Sequence, residues 1–219
     1  MSAFTWPPDT AGACAPAGSP AGSPAGALEA AVRAAARATS GEQIPAAVLV
    51  PLLLADSEGD TRVVLTRRRS DLRRHAGEIS FPGGRRDDED ESLQHTALRE
   101  AEEEIGLRRE QVSVIGHLPP TSTFATNYVI HPFVATLSEG VAWRVSAREV
   151  DAVLELTLSD VRAGRTTTQI QRRGITFTTD AFIVEDHVIW GATARIIQDL
   201  LDRLSGGGPG GGALALTSS

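Results

Sequence analysis

The chain has 219 residues, 41% of them hydrophobic, which suits one domain of ordinary size with an apolar core. A formal net charge of −7 excludes a general nucleic-acid binder, because phosphate-backbone binding needs a basic excess. A lone cysteine, Cys14, excludes an intramolecular disulfide, and no window approaches the ~20 apolar residues of a membrane span.

No basic stretch followed by an apolar core opens the sequence, so no secretory signal is read and a cytoplasmic location is the expectation. Residues 1–26, with the near-repeat AGSPAGSPAG, are too poor in apolar bulk to offset ordering entropy and are read as a disordered tail. The folded domain is assigned to residues 27–205, and the Gly-rich residues 206–219 to a flexible tail. Residues 27–39 read as an edge helix. Residues 44–54 are a continuous apolar run, predicted as a buried strand that turns at 57–60 and returns over 62–66 as a hairpin. The arginine-rich residues 67–74 read as a loop, and Phe81-Pro82-Gly83-Gly84 is expected to break any regular element.

The clearest helix spans 92–105, with Ser92 as N-cap, Gly106 just past its end, and Leu93, Ala97, Leu98, Ala101 and Ile105 as its apolar side. Strands are predicted over 111–118, 128–137 and 151–157, with a loop over 119–123 and a short helix near 158–163. A hairpin is predicted from 168–178 and 180–190. The amphipathic helix 192–204 turns Ile196, Ile197, Leu200, Leu201 and Leu204 inward. Strands and helices mix without regular alternation, so the fold class is α/β: a mixed sheet with helices on both faces.

Glu100, Glu103 and Glu104 stand at i, i+3 and i+4, so they project from one helix face. Three like charges so close destabilise a helix unless a cation sits among them. Hard oxygen ligands suit Mg²⁺ or Mn²⁺, with phosphate oxygens completing the shell. The plain alternative is a solvated acidic face. Arg99 lies four residues before Glu103, close enough to hold it. Glu149 and Glu155 are further carboxylates by position alone. His117, His131 and His187 show no metal-ligand spacing, and Trp143, Trp190, Phe177 and Phe182 read as packing residues.

Gly84, Glu91, Arg99, Glu100, Ala101, Glu103, Glu104, Gly106 and Leu107 resemble the Nudix box, G-x5-E-x7-R-E-U-x-E-E-x-G-U, where U is apolar. Six residues, RRDDED, stand between Gly84 and Glu91 where the pattern has five. The first acidic position therefore falls on Asp90 or Glu91, and nearness to the helix start favours Glu91. The resemblance implies the Nudix α/β/α sandwich, with the box as a loop–helix–loop, and hydrolysis of a nucleoside diphosphate derivative. It implies Glu100 and Glu104 as main metal ligands, Glu103 as a further ligand or water-orienting group, the Gly84 carbonyl as a metal contact, and Arg99 as their support. Glu91 is then mostly structural.

Upstream, Leu65-Thr66-x-Arg68, Arg73, Gly77 and Phe81-Pro82-Gly83-Gly84 resemble the motif of the coenzyme A pyrophosphatase branch, L-L-T-x-R-[SA]-x3-R-x3-G-x3-F-P-G-G. Val64 and Arg69 depart from it. Arg68, Arg73, Gly83 and Gly84 become candidate substrate-binding residues, since the planar guanidinium fork matches phosphate. His75 lies in the same segment. The resemblance implies a Mg²⁺- or Mn²⁺-dependent diphosphate hydrolase that cuts coenzyme A or an acyl derivative into 3′,5′-ADP and a 4′-phosphopantetheine. Two alternatives stay open: a Nudix hydrolase of ADP-ribose, NADH or a nucleoside triphosphate, and a non-catalytic Nudix-fold binding domain. A small-molecule nucleoside diphosphate derivative is the expected partner, with no nucleic acid and no membrane. A homodimer is compatible with the sequence.

Overall fold

Successive residues of a strand face opposite sides of a sheet, so a strand apolar at every position must be covered on both faces. Ile44–Leu53 is such a strand, and the fold is built outward from it. The computed structural model describes residues 4–5, 43–54, 60–69, 77–123, 127–138, 140–172 and 175–206. In chain order these form β1 (Phe4–Thr5), β2 (Ile44–Leu53), β3 (Arg62–Arg68), β4 (Ile79–Ser80), β5 (Gly83–Arg85), α1 (Leu93–Ile105), β6 (Val112–His117), β7 (Thr121–Ser122), β8 (Tyr128–Leu137), β9 (Val150–Thr157), α2 (Leu158–Ala163), β10 (Arg165–Arg172), β11 (Ile175–Val184), β12 (His187–Trp190) and α3 (Gly191–Leu204). Apart from β1, the tail and edge helix expected before residue 40 lie outside the described residues, as do the turn expected at 57–60 (save Asp60) and the C-terminal tail beyond 206.

β8 runs parallel to β2 along one edge. The other edge of β2 is shared: β3 pairs antiparallel at Leu52–Leu53, and β5 pairs antiparallel at Ala46–Val48. β9 and β4 pair antiparallel with β3, and β6 and β7 with β8, which completes a mixed sheet. The alternation of β2 sorts its side chains into two cores. Ala47 and Leu49 join Val64, Ala97, Leu98, Ala101 and Ile105 beneath α1. Val50 and Leu52 join Val63, Leu65, Ile196, Ile197 and Leu200 beneath α3. The α/β/α layering expected from the sequence is therefore observed, and α1 is pinned over the β2–β5 junction.

Four local expectations are corrected. Gly83–Arg85 is not a break but a short strand on β2: Gly83 (φ +156°) lies so close that an added Cβ would stand 2.3 Å from the Ala47 carbonyl oxygen. Thr121 and Ser122 leave the expected loop to pair with β8. The hairpin over 168–190 is a three-stranded meander, whose second turn falls at Glu185 and Asp186, with Glu185 at φ 54°. Thr and Gln dominate β10, and the apolar residues on both sides of Glu185 and Asp186 let 180–190 read as one strand. Arg67 and Arg68 continue β3 across a bulge rather than opening a loop. Among the described residues, no helix is long and apolar enough to cross a membrane.

Candidate active site

α1 is fixed at both ends before it carries any chemistry. Ser92 Oγ accepts from the His95 backbone N–H at 3.1 Å, and Gly106 closes the helix in the left-handed region at φ 70°. Ala97, Ala101 and Ile105 are fully buried. Glu104, one turn from Ala101, is carried partly under the helix, and its side chain is only 5% exposed. Glu100 is 17% exposed and Glu103 59%. The three carboxylates thus stand at three depths and not on one equally solvated face.

β5 supplies the opposite wall. An added Cβ at Gly84 would meet the Glu100 carboxylate at 2.4 Å, so glycine is what lets that carboxylate approach the strand. The Gly83 N–H donates to Glu104 Oε2 at 3.3 Å, and Arg68 Nη1 lies 3.6 Å from Glu104 Oε1. Burial pushes the Glu104 carboxyl up to about 8, against the opposing pull of Arg68 and with a further push from Glu100. Burial also raises Glu100, while neighbouring Arg99 lowers it.

Arg99 organises the rim. Its Nε and Nη2 donate to Asp90 Oδ1 and Oδ2 at 3.0 and 3.1 Å, its Nη1 donates to Glu103 Oε2 at 3.2 Å, and Nη2 stands 3.1 Å from Glu100 Oε1. Asp90 is 3% exposed and also accepts from Thr96 Oγ1 at 2.9 Å and the Asp87 N–H at 3.0 Å. Its carboxyl is held well below the usual range, chiefly by the hydrogen bond from Arg99. The structure therefore gives the first acidic position to Asp90 and not to Glu91, which is exposed. A signal for this stood in the sequence: Gly84 and Asp90 have five residues between them, so the extra residue of the motif falls between Asp90 and Arg99.

Comparison with known sequences places the chain in a family. The NUDIX domain profile matches residues 44–176, more than half of the chain. The chain belongs to the NUDIX family. It is 40% identical over 164 residues to "Uncharacterized Nudix hydrolase NudL" of Cronobacter sakazakii, covering 74% of this chain and 83% of that protein. A protein of the same name from Salmonella paratyphi B is 38% identical over 160 residues, covering 72% and 81%. The crystal structure of a MutT/nudix family protein from Enterococcus faecalis superposes with a TM-score of 0.52 at 16% identity, covering 75% of this chain and 63% of that one, a likeness of fold.

Nudix hydrolases act with divalent metal ions, and the Nudix residues of this chain fit one. Glu104 is a buried carboxylate whose charge Arg68 and one N–H only partly offset, Glu100 sits beside it in a cradle that a Cβ would fill, and every donor is a hard oxygen. Arg73, Arg74 and His75 lie outside the described residues. Of the neighbouring arginines, Arg67 pairs with Asp151 at 2.7 Å, Arg69 donates to the Ala147 carbonyl, and Arg86 donates to the Asp90 carbonyl at 3.0 Å. Glu149 stands at the rim, 3.8 Å from Arg68. Glu155 is engaged by Arg62 at 2.5 Å and by Trp143 Nε1 at 2.7 Å, a packing role. Phe182 is buried, and Phe177 meets Trp190 ring to ring at 5.8 Å. His187 stands with its chain neighbours Glu185 and Asp186, their ligand atoms within 4.8 Å of one another, as expected of three consecutive residues at a turn.

Proposed function

We propose that the chain hydrolyses the diphosphate of coenzyme A or an acyl derivative, with Mg²⁺ or Mn²⁺, to give 3′,5′-ADP and (acyl-)4′-phosphopantetheine. One observation carries the reading: Arg68, a position of the coenzyme A pyrophosphatase motif, stands 3.6 Å from Glu104 of the Nudix box. The upstream segment and the box thus meet at one point, where a phosphate bound by arginine would lie beside the carboxylates.

The chemistry a divalent cation supplies in such a cradle is neutralisation of the diphosphate and acidification of water. Glu104, Glu100 and the Gly84 carbonyl are assigned to holding it, with Glu103 as an outer ligand. Arg99 keeps Glu100 and Glu103 in register through its own anchor on Asp90. Glu103 is the box carboxylate most open to solvent, and we assign to it the proton released as water attacks phosphorus. Arg68 is assigned to the diphosphate itself, because it lies beside Glu104. Discrimination of the ribose 3′-phosphate then falls to other residues of the upstream segment, Arg73 foremost.

Incubation of the protein and Mn²⁺ with coenzyme A, dephospho-coenzyme A, ADP-ribose, NADH and nucleoside triphosphates tests this. Coenzyme A is expected to be cleaved to the two named products, and Arg68→Ala to raise KM for coenzyme A and its dephospho form by the same factor. Inert coenzyme A beside rapid cleavage of ADP-ribose, NADH or a triphosphate would transfer the assignment to that substrate. Binding without turnover of any of them would make the chain a binding domain.

A further inference from the structure

Arg68 lies between two carboxylates on different elements, 3.6 Å from Glu104 on α1 and 3.8 Å from Glu149 just before β9. Both separations exceed hydrogen-bond length, so the guanidinium is held by charge and not by a closed fork. Its side chain is 28% exposed, and it follows the bulge that ends the regular register of β3 with β9. Glu104 is the deepest of the three helix carboxylates Glu100, Glu103 and Glu104, and Arg68 is the cation that most stabilises its ionised form.

We propose that Arg68 is a built-in competitor of the divalent cation for Glu104. This rests on the reading of Glu104 as a cation ligand. A divalent ion on that carboxylate would stand within a few ångströms of the guanidinium, and like charges at such range repel. Arg68 therefore weakens cation binding by the protein alone. A diphosphate removes the conflict, because it offers the guanidinium a planar two-point contact that Glu104 and Glu149, on separate elements, do not. Cation and diphosphate then favour one another through the position of a single side chain.

Mn²⁺ binding to the full chain, followed by electron paramagnetic resonance of the free ion, reads this without turnover. Arg68→Ala is expected to lower the Mn²⁺ Kd about threefold or more. Arg67→Ala removes the same charge from the same strand but from an arginine paired with Asp151, and is expected to leave the Kd unchanged. Arg68→Lys, which keeps the charge, gives a Kd between those of wild type and Arg68→Ala. In turnover assays Arg68→Ala should need less Mn²⁺ for half-maximal rate while its KM for the diphosphate substrate rises, whereas a merely structural defect weakens both. An Arg68→Ala Kd equal to or above wild type overturns the proposal, as does equal tightening in Arg67→Ala. Glu104→Gln separates the two readings: if it binds Mn²⁺ like wild type, Glu104 is not a ligand, and if it binds weakly while Arg68→Ala is unchanged, only the competition fails.

Discussion

Arg99 grips Asp90 at two points, 3.0 and 3.1 Å, and from that anchor reaches both Glu100 and Glu103. The pair joins the loop before α1 to the helix itself, and Asp90 is its buried end. Removing one partner of a buried pair strands the other, at a cost of roughly 3 kcal/mol. Asp90→Ala is therefore expected to lower Tm by about 6–12 °C, and to slow turnover because Glu100 and Glu103 lose a fixed Arg99. Exposed Glu91, replaced by Ala, should change stability by no more than about 0.5 kcal/mol. Thermal unfolding of the two variants decides between them, and a larger loss in Glu91→Ala would return the structural role to that residue.

The paired glycines separate function from folding. At Gly84 a methyl group meets only the end of the Glu100 side chain, which can swing away. Gly84→Ala is expected to keep Tm within a few degrees while turnover falls by one to two orders of magnitude, on the order of the loss from misplacing a catalytic group by about 1 Å. At Gly83 a methyl group meets backbone, 2.3 Å from the Ala47 carbonyl oxygen and 2.6 Å from the Val48 Cα, at φ +156°. Gly83→Ala should destabilise the fold by several kcal/mol, with a magnitude near ~3 kcal/mol as for other strained backbone sites. Equal melting temperatures for the two variants would contradict this division.

Two carboxyl groups shift in opposite directions and act in different pH windows. Asp90 is depressed in the folded protein, so its stabilisation is complete above its unfolded value near 3.8 and is lost as pH falls toward its lower folded value. Glu104 is raised from 4.5 to about 8, so the folded protein binds the extra proton across that interval and loses stability as pH rises through it. In chelator-treated protein Glu104→Gln should flatten the decline of Tm between about pH 4.5 and 8, and Asp90→Asn should flatten the acid limb below about pH 4. Added Mn²⁺ should raise Tm more at pH 8 than at pH 5, because a ligand carboxyl must first lose its proton. A Mn²⁺ effect independent of pH would remove Glu104 from the ligand set.

Much of this was legible in the chain. The apolar spacing of Leu93 to Ile105 sets the helix, Ser92 and Gly106 set its ends, and the order of Arg99, Glu100, Glu103 and Glu104 follows from 3.6 residues per turn. These are local rules, fulfilled within a few residues. The continuous apolar run of β2 likewise announces a strand covered on both faces, and both cores are found. Tertiary structure decided the rest. It chose Asp90 over Glu91, because only one of two adjacent acids can turn into the space under Arg99 and Thr96. It sank Glu104 while leaving Glu103 in solvent, because β2 and β5 cover one side of α1. It brought Arg68 to Glu104 across 35 intervening residues, through the pairing of β3 and β5 with β2. Helix period and caps determine where charges point, but the depth of each charge, and the partner it meets there, depend on strands that sequence distance does not reveal.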